Sequence, residues 1–361
     1  MSAAPATPTA PAAPREALPR RALVIAAGPL AAVLLALLAG AVFIAAIGEN
    51  PFAVYALMLG ESLGTGYGLG QTLFKATPLI FTGLAVALGF RAGLFNIGAE
   101  GQLYLGGFAA ALVGATCAGW PAALLLPACV LAAALAGGAW GAIPGALKAR
   151  FGAHEVINTI MLNFVAFALV SFLGRPLFQP ASVRTAEIGA GAVLPRLSEF
   201  LPALRGAPAN LSLLLALGVA ALVFVLVFRT RFGYALRAVG LNAPAAAFGG
   251  ISIGRTQAVT MALSGALAGL GGVNFVLGYK HFFELGFSAG AGFLGIAVAL
   301  IGRNHPVGVV IAALFFGALS HGGLVINQRV PRELIDVLQG LVILFAISAQ
   351  VVFERVARRM W

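Results

Sequence analysis

Residues 229–255 read RTRFGYALRAVGLNAPAAAFGGISIGR and lie between two strongly apolar runs of the chain. The four arginines in this stretch are fixed positive charges, which are costly in the core of a bilayer. The stretch therefore predicts a structured loop on the cytoplasmic side of a membrane. Its Ala- and Leu-rich composition and the Asn-Ala-Pro sequence at 242–244 predict two short helices, over 234–239 and 243–248.

This loop has two interpretations when it is considered alone. Positive charge between apolar runs is typical of any cytoplasmic connection in a membrane protein. Two short helices folded back between membrane spans would also form a projecting surface on which a cytoplasmic partner could dock. Features elsewhere in the sequence are needed to choose between these two interpretations.

The composition excludes a soluble globular domain. Hydrophobic residues make up 61% of the 361 residues and charged residues only 9%, whereas soluble domains carry roughly a quarter charged residues. The net charge of +11 comes from basic residues scattered singly between apolar runs. We therefore interpret this charge as a signal of membrane topology and expect no nucleic-acid partner.

The apolar runs predict an all-α polytopic membrane protein with about ten transmembrane helices, at least one of them broken. Residues 290–301 and 307–322 are short for full spans, so half-penetrating or tilted helices are the alternative there. A transmembrane domain is expected over 20–361, after a disordered cytoplasmic tail at 1–19. The expected spans are residues 22–47, 71–90, 101–118, 121–147, 155–174, 211–228, 256–277, 290–301, 307–322 and 333–353.

The connections between these spans set the expected orientation. Both termini are predicted to be cytoplasmic, because this places most of the 22 basic residues inside. Residues 175–210 become the main extracytoplasmic segment, with a surface helix expected around 194–204. Residues 49–70 are expected to be a polar, Gly-rich connection.

Residues 90–102, FRAGLFNIGAEGQ, place Asn96 and Glu100 among glycines between apolar runs. An interrupted helix at this point would line or gate a polar path, since unwound backbone in a membrane needs protein or water around it. The alternative is a polar turn at the cytoplasmic surface, in which Glu100 is solvated.

A second polar group begins the span at residue 155. Glu155, Asn158, Thr159 and Asn163 recur at helical spacing and predict one polar stripe along that helix. Such a stripe either faces a hydrophilic path or joins helices by hydrogen bonds. Elsewhere, glycines at every fourth position over 137–145 and 265–269 predict close contact between helices.

Signatures of catalysis are missing from this sequence. It contains no Gly-x4-Gly-Lys-Ser/Thr phosphate-binding loop, and its His and Cys residues are dispersed without metal-ligand spacing. We therefore expect a protein that is not an enzyme and that binds no metal.

Three stretches carry a family likeness: GLFNIGAEGQ at 93–102, HEVINTIMLNFVA at 154–166 and FGYALRAVGLNAPAAAFGGI at 232–251. Together they resemble the permease subunits of bacterial ABC importers in the branched-chain amino acid and simple sugar permease superfamily, and most closely its nucleoside (simple-sugar) branch. The resemblance covers the chain from about residue 70 onward.

This resemblance implies a type II-like ABC importer permease of the bacterial inner membrane that moves nucleosides or related sugars. Its implied partners are membrane lipid, a second permease, homologous or identical, an extracytoplasmic substrate-binding protein and a cytoplasmic ABC ATPase. ATP and Mg would be bound by that ATPase, and this chain would bind no cofactor.

Residues 229–255 match the family's coupling loop, which docks on the ATPase. Pro244 stands where other ABC importers have an acidic residue, which leaves open which residue makes the main contact; the helix over 243–248 is favoured. The implied ATPase-coupling residues are Gly233, Arg237, Gly240, Asn242, Ala245, Ala246, Gly250 and Ile251. The residues expected in the translocation path or gate are Asn96, Glu100, Glu155, Asn158, Thr159 and Asn163.

The alternative function is an ion-coupled secondary transporter or a channel for small polar solutes. It would require carboxylate or His pairs near the middle of the membrane, or an inverted repeat. Glu100 and Glu155 fall near the predicted cytoplasmic ends of their spans, and no repeat is evident, so the importer permease is favoured. The sequence does not separate nucleosides from sugars.

Overall fold

A computed structural model describes residues 18–331 and 333–359 of the chain. The expected N-terminal tail at 1–19 falls almost entirely outside these residues. Within the described part, the chain forms thirteen α-helices: α1 (Leu18–Ala46), α2 (Pro51–Leu63), α3 (Gly66–Arg91), α4 (Ala99–Thr116), α5 (Ala122–Phe151), α6 (Glu155–Gly174), α7 (Ser212–Arg229), α8 (Arg231–Leu241), α9 (Ala243–Phe248), α10 (Ile253–Phe275), α11 (Ala291–Ile301), α12 (Pro306–Val325) and α13 (Glu333–Arg359).

The expected all-α polytopic membrane protein is confirmed. Among the described residues, six helices are long and apolar enough to cross a membrane: α3, α5, α6, α7, α10 and α12. The pair α1 and α2 is bent by 118° and provides a seventh candidate if it forms one span. The expected total of ten crossings and the cytoplasmic position of both termini stay predictions.

Helices α3 and α10 form the centre of the molecule. Most of α3 is buried, although it contains Pro78, which has no N–H to donate to the carbonyl of Phe74. That carbonyl instead accepts a hydrogen bond from Asn274 of α10, Nδ2 to O, at 3.2 Å. A buried side chain of α10 thus replaces the backbone bond that the proline removes, and α3 continues without a break.

Helix α10 also lies against α5 through the predicted glycines. A Cβ atom on Gly137 would fall 2.4 Å from the carbonyl oxygen of Gly265, and one on Gly141 would fall 2.5 Å from the carbonyl oxygen of Met261. On the other helix, a Cβ atom on Gly269 would fall 2.3 Å from the carbonyl oxygen of Ala133. The expected close helix contact is confirmed, because only glycine leaves room for the two backbones at this separation.

The prediction of a polar, Gly-rich connection at 49–70 is wrong. Helix α2 (Pro51–Leu63) occupies most of it, and the side chain of Asn50 accepts hydrogen bonds from the backbone N–H groups of Phe52 and Ala53 at 3.0 and 3.4 Å. Asn at the cap followed by Pro at the first helical position is a start signal. The glycines nearby obscured this signal.

The prediction of a surface helix around 194–204 is also wrong. The segment forms two 3-10 turns, Leu197–Glu199 and Pro202–Leu204, because Pro202 lacks an N–H and disfavours helical geometry in the residue before it. The longer segment 175–210 folds onto the residues that follow α10: Thr185 N–H donates to the carbonyl of Phe283 at 2.9 Å, and Leu194 N–H donates to that of Leu277 at 2.9 Å.

The two short apolar runs over 290–322 form helices of different length. Helix α12 has the 20 residues needed to cross a membrane, whereas α11 has 11. Eleven residues extend about 16 Å at 1.5 Å per residue, about half of a hydrocarbon core of roughly 30 Å. Only α11 is therefore a half-length helix.

Candidate functional site

Two helices begin at the same place inside the molecule. Residues 92–98 after α3 are not helical, as the glycines predicted, and α4 begins at Ala99. Helix α11 begins beside it, so close that a Cβ atom on Gly292 would lie 2.3 Å from the Cα atom of Glu100. We call this meeting point the α4–α11 junction.

Glu100 occupies the junction and is only 2% exposed. One carboxylate oxygen, Oε1, accepts hydrogen bonds from Ser288 Oγ at 2.6 Å and from the N–H of Gly290 at 3.1 Å. The other, Oε2, accepts from the N–H of Gly292 at 2.5 Å. The side chain satisfies N–H groups at the start of α11, where the helix dipole favours negative charge. A solvated turn at the surface therefore does not describe Glu100.

Asn96 holds the loop before α4 against the central helices. Its Nδ2 donates to Gln102 Oε1 and to Ser264 Oγ, both at 2.8 Å, and its Oδ1 accepts from the N–H of Gly98 at 3.0 Å. Ser264 of α10 in turn donates to the carbonyl of Ala85 in α3 at 2.6 Å. These polar side chains are buried and satisfied by one another.

Thr159 and Asn163 hold the same loop from α6. Thr159 Oγ1 accepts from the N–H of Ile97 at 3.3 Å, and Asn163 Oδ1 accepts from the N–H of Gly101 at 2.8 Å. Asn163 Nδ2 also donates to the carbonyl of Ile97 at 3.0 Å. For these two residues, the structure shows the hydrogen bonds between helices that were one of the two alternatives.

Glu155 and Asn158 have different surroundings from Thr159 and Asn163. Glu155 forms an ion pair with Lys148 at 2.9 Å, between the end of α5 and the start of α6. Asn158 is half-buried on the following turn. The predicted stripe therefore divides into an ion pair at the hairpin and a pair of loop-binding residues nearer the junction.

A cavity of about 320 Å³ opens beside the junction. Tyr104 of α4 forms part of its wall: the Tyr104 hydroxyl accepts from the N–H of Gly286 at 3.0 Å, and its ring stacks on Phe287 with centroids 5.6 Å apart. Tyr104 and Phe167 are not among the predicted path residues, because their sequence surroundings are those of ordinary apolar helices. The lining residues are Glu100, Tyr104, Phe167, Gly286, Ser288, Ala289, Gly290 and Phe293.

Residues 229–255, which the sequence predicts to couple to an ATPase and which we call the coupling segment, contain α8 and α9. Helix α9 has the predicted bounds, Ala243–Phe248, and Asn242 Oδ1 caps it by accepting from the N–H of Ala245 at 3.0 Å. Helix α8 is longer than predicted at both ends, because Thr230 Oγ1 caps it by accepting from the N–H of Gly233 at 3.0 Å. Local capping chemistry defines both helices.

The end of α9 presents large apolar side chains. Phe248 is 95% exposed and Leu241, just before α9, is 88% exposed, whereas Ala246 is buried. Gly250 ends the turn with a left-handed φ of +80°, and the N–H of Ile251 returns to the carbonyl of Ala246 at 3.0 Å. The chain thus forms a well-defined projection whose apolar tip it does not cover.

Two of the predicted coupling residues, Gly233 and Gly240, position α8 on the rest of the molecule. A Cβ atom on Gly240 would lie 2.2 Å from the carbonyl oxygen of Arg91, at the end of α3. One on Gly233 would lie 2.1 Å from the carbonyl oxygen of Leu226 in α7. The glycines allow α8 to approach both helices closely, so the coupling segment is fixed at its base.

Arg237 joins α8 to the turn after α11 through a group that we call the arginine cluster: Arg91, Phe228, Arg237, Asn304 and His305. The guanidinium groups of Arg91 and Arg237 lie 5.1 and 5.5 Å from the centroid of the Phe228 ring. Arg91 Nε donates to the carbonyl of Asn304 at 3.0 Å, and the His305 ring lies 5.3 Å from that of Phe228. Burial, followed by the charge of Arg91, lowers the pKa of His305 below its usual value.

Comparison with known proteins places these features in a family. The family described as the permease component of branched-chain amino acid transport systems matches residues 68–347. The guanosine ABC transporter permease protein NupP of Bacillus subtilis is 40% identical over 325 residues, which cover 89% of this chain and 92% of the relative. The nucleoside ABC transporter permease protein NupB of Lactococcus lactis is 34% identical, with 88% and 89% covered.

A third relative carries a different substrate name. The glucose ABC transporter permease protein TsgB13 of Haloferax volcanii is 38% identical over 331 residues, which cover 89% of this chain and 87% of the relative. A comparison with solved structures found no match.

Proposed function

The chain belongs to the permease component family of branched-chain amino acid transport systems and is the permease subunit of an ABC importer, and we propose that it carries nucleosides across the inner membrane of a bacterium. ATP hydrolysis belongs to a separate subunit of such systems, so this chain is a transport component and not an enzyme. The observation that carries the substrate proposal is the 40% identity, over 325 residues, to a permease named for guanosine.

The α4–α11 junction is the proposed point at which solute passes. Irregular backbone at 92–98 and 281–290 meets there, half a bilayer thickness from the arginine cluster by the length of α11. In this proposal Glu100 therefore lies deeper in the membrane than the cytoplasmic end at which the sequence predicted it. Irregular backbone is not tolerated against lipid, but it is tolerated where it lines a water-filled cavity or contacts protein. Phe293 at the cavity is 44% exposed, so the open side of the cavity would face a second permease across the path.

The six predicted path residues then fall into three groups. Glu100 lines the cavity and shapes it by holding the start of α11. Asn96, Thr159 and Asn163 hold the loop that positions Glu100, and Glu155 and Asn158 lie at the hairpin of α5 and α6. In this proposal the chain crosses the membrane ten times, one of these crossings being made by α11 together with the connection before it, and both termini are cytoplasmic.

The coupling segment is the proposed contact with the ATPase. Phe248 and Leu241 are exposed apolar side chains at the tip of a segment with several arginines, as expected of a surface that another protein covers. The ATPase would bind ATP and Mg, and this chain would bind neither. Closure of the ATPase would move α8 and α9. The arginine cluster would transmit that movement to α11 and to the α4–α11 junction.

An extracytoplasmic substrate-binding protein would deliver the solute on the opposite side. Residues 175–210 and the connection before α11 form one folded surface there, joined by the backbone hydrogen bonds of Thr185 and Ile188 to residues 283 and 281. This surface is the proposed docking site.

Reconstitution tests this function. The permease, purified with its ATPase, second permease and binding protein, would be placed in vesicles and supplied with labelled guanosine or labelled glucose. ATP-dependent guanosine uptake is expected, and the glucose arm tests the alternative that one relative suggests. Uptake driven by an ion gradient in the absence of the ATPase would contradict the proposal and favour a secondary transporter.

A further inference from the structure

The cavity at the α4–α11 junction has bare backbone on one side. Gly286 and Gly290 have left-handed φ values of +79° and +82°, and a Cβ atom added to either would meet nothing within 4 Å. Ala289 between them also has a positive φ, of +46°. Glycines in such conformations allow a ligand to approach the backbone closely. The volume of about 320 Å³ is at the lower end of the range for small-molecule sites.

The polar side chains of the cavity are already engaged. Glu100 accepts three hydrogen bonds, from Ser288 and Gly290 before α11 and from Gly292 in its first turn, and the bond from Ser288 is 2.6 Å long. The hydroxyl of Tyr104 accepts from the N–H of Gly286. These groups hold the wall in shape.

The aromatic side chains of the cavity are available by contrast. Phe293 of α11 is 44% exposed and Phe167 of α6 is half-buried, and both line the cavity. Tyr104 is 4% exposed, and its ring is packed against Phe287 and Phe167, at centroid distances of 5.6 and 5.0 Å. The accessible surface is thus formed by two phenyl rings from different helices, with bare backbone beside them.

From this arrangement we infer that the cavity is a recognition site for a planar heterocyclic base, which stacks on Phe167 and Phe293 while the solute passes through the permease. A base presents a π face to an aromatic ring, and one such stack is worth about 1 to 3 kcal/mol, or roughly five- to 150-fold in affinity. A hexose would instead require free polar side chains for its hydroxyl groups. The inference deepens the proposed function and rests on it.

Substitution of the two rings tests the inference in the complete complex. Phe167→Leu and Phe293→Leu remove the aromatic faces but keep apolar side chains, and each is expected to reduce guanosine uptake into vesicles about tenfold at saturating binding protein. Phe167→Tyr and Phe293→Tyr keep the rings and are expected to transport within about twofold of the unchanged complex. Phe172→Leu is the matched control, because Phe172 lies on α6 and is 69% exposed away from the cavity.

Basal ATP hydrolysis, measured on the same samples, shows that each variant complex is folded and assembled. Wild-type guanosine uptake that persists within about twofold in both leucine variants would overturn the base site and leave the proposed function standing. Equal losses of guanosine uptake in the leucine and tyrosine variants, with normal basal ATP hydrolysis, would also overturn the base site. The aromatic ring would then not determine the rate of uptake. A wild-type complex that hydrolyses ATP but takes up no guanosine would overturn the substrate proposal itself.

Discussion

The α4–α11 junction and the coupling segment both begin a helix with a side-chain oxygen as its cap, but they differ in what surrounds that cap. Glu100 is 2% exposed, and its donors lie 188 to 192 residues away in the chain. Asn242 is exposed and caps a residue three positions on. The junction is satisfied entirely from within the chain, whereas the coupling segment is formed locally and leaves Phe248 uncovered. A change in the first should therefore affect folding, and a change in the second should affect a partner.

The largest effect on transport is expected for Phe248→Asp. A carboxylate at the apolar tip would have to be desolvated if an ATPase covers it, so we expect uptake to fall by about 100-fold or more, a loss of roughly 3 kcal/mol at a buried contact. The amount of permease in the membrane should not change, because the side chain is 95% exposed. Uptake assays and copurification of the ATPase measure this.

Phe200→Asp is the matched control for ATPase copurification, because Phe200 is a 63% exposed phenylalanine in the 175–210 segment, which is proposed to face the binding protein and not the ATPase. Full copurification of the ATPase with the Phe248→Asp variant would contradict the proposal that the tip of the coupling segment binds the ATPase. Ala246→Asp is less informative, since Ala246 is buried and a charge there would disturb the segment itself.

The second effect is expected for Glu100→Gln. The amide has one acceptor oxygen in place of two, so at least one buried N–H at the start of α11 loses its partner, at a cost of about 1 to 3 kcal/mol. We expect a lower thermal unfolding midpoint and uptake reduced by about tenfold. Glu199→Gln serves as the control, because Glu199 also accepts from a backbone N–H, that of Arg196 at 3.0 Å, but in an exposed turn. Equal unfolding midpoints for the two variants would show that the buried Glu100 contacts stabilise the fold no more than the exposed Glu199 contact.

The smallest effect is expected at the arginine cluster, where the two regions meet. The pKa of His305 is lowered by burial and by Arg91, so the folded protein binds the proton less readily than the unfolded chain. Its contribution to stability is then present above the unfolded pKa of about 6.5 and is lost as pH falls below it. The unfolding midpoint of the complex should decrease slightly between pH 7 and 5, and His305→Gln should make that decrease smaller. An identical pH dependence in the variant would exclude His305 as its source.

Local chemistry explains which parts of the fold were predictable. The bounds of α9 follow from Asn242 and Pro244, which act within one turn of the helix they begin. The same signal at Asn50 and Pro51 marks α2, but the neighbouring glycines suggested a loop. At 194–204 the error was the reverse: apolar residues suggested a helix, and Pro202 limited it to 3-10 turns.

The junction was predictable only in part. Glycines near Asn96 indicated an interrupted helix, which the structure contains, and they marked Glu100 as unusual. Its partners Ser288 and Gly292 could not be read from the sequence, because nothing local links positions about 190 residues apart. The cavity was missed for the same reason, since Phe167 and Phe293 look like ordinary apolar residues of their own helices.

The length of α11 has a mechanical consequence. A helix of 11 residues is a stiff rod of about 16 Å, attached at one end to the arginine cluster and at the other to Glu100. A tilt of about 10° at the first end displaces the second by about 3 Å, comparable to the length of a hydrogen bond. A helix twice as long would double this displacement, but its second end would lie about 32 Å from the arginine cluster, roughly the full thickness of a hydrocarbon core, whereas α11 reaches about half of that distance.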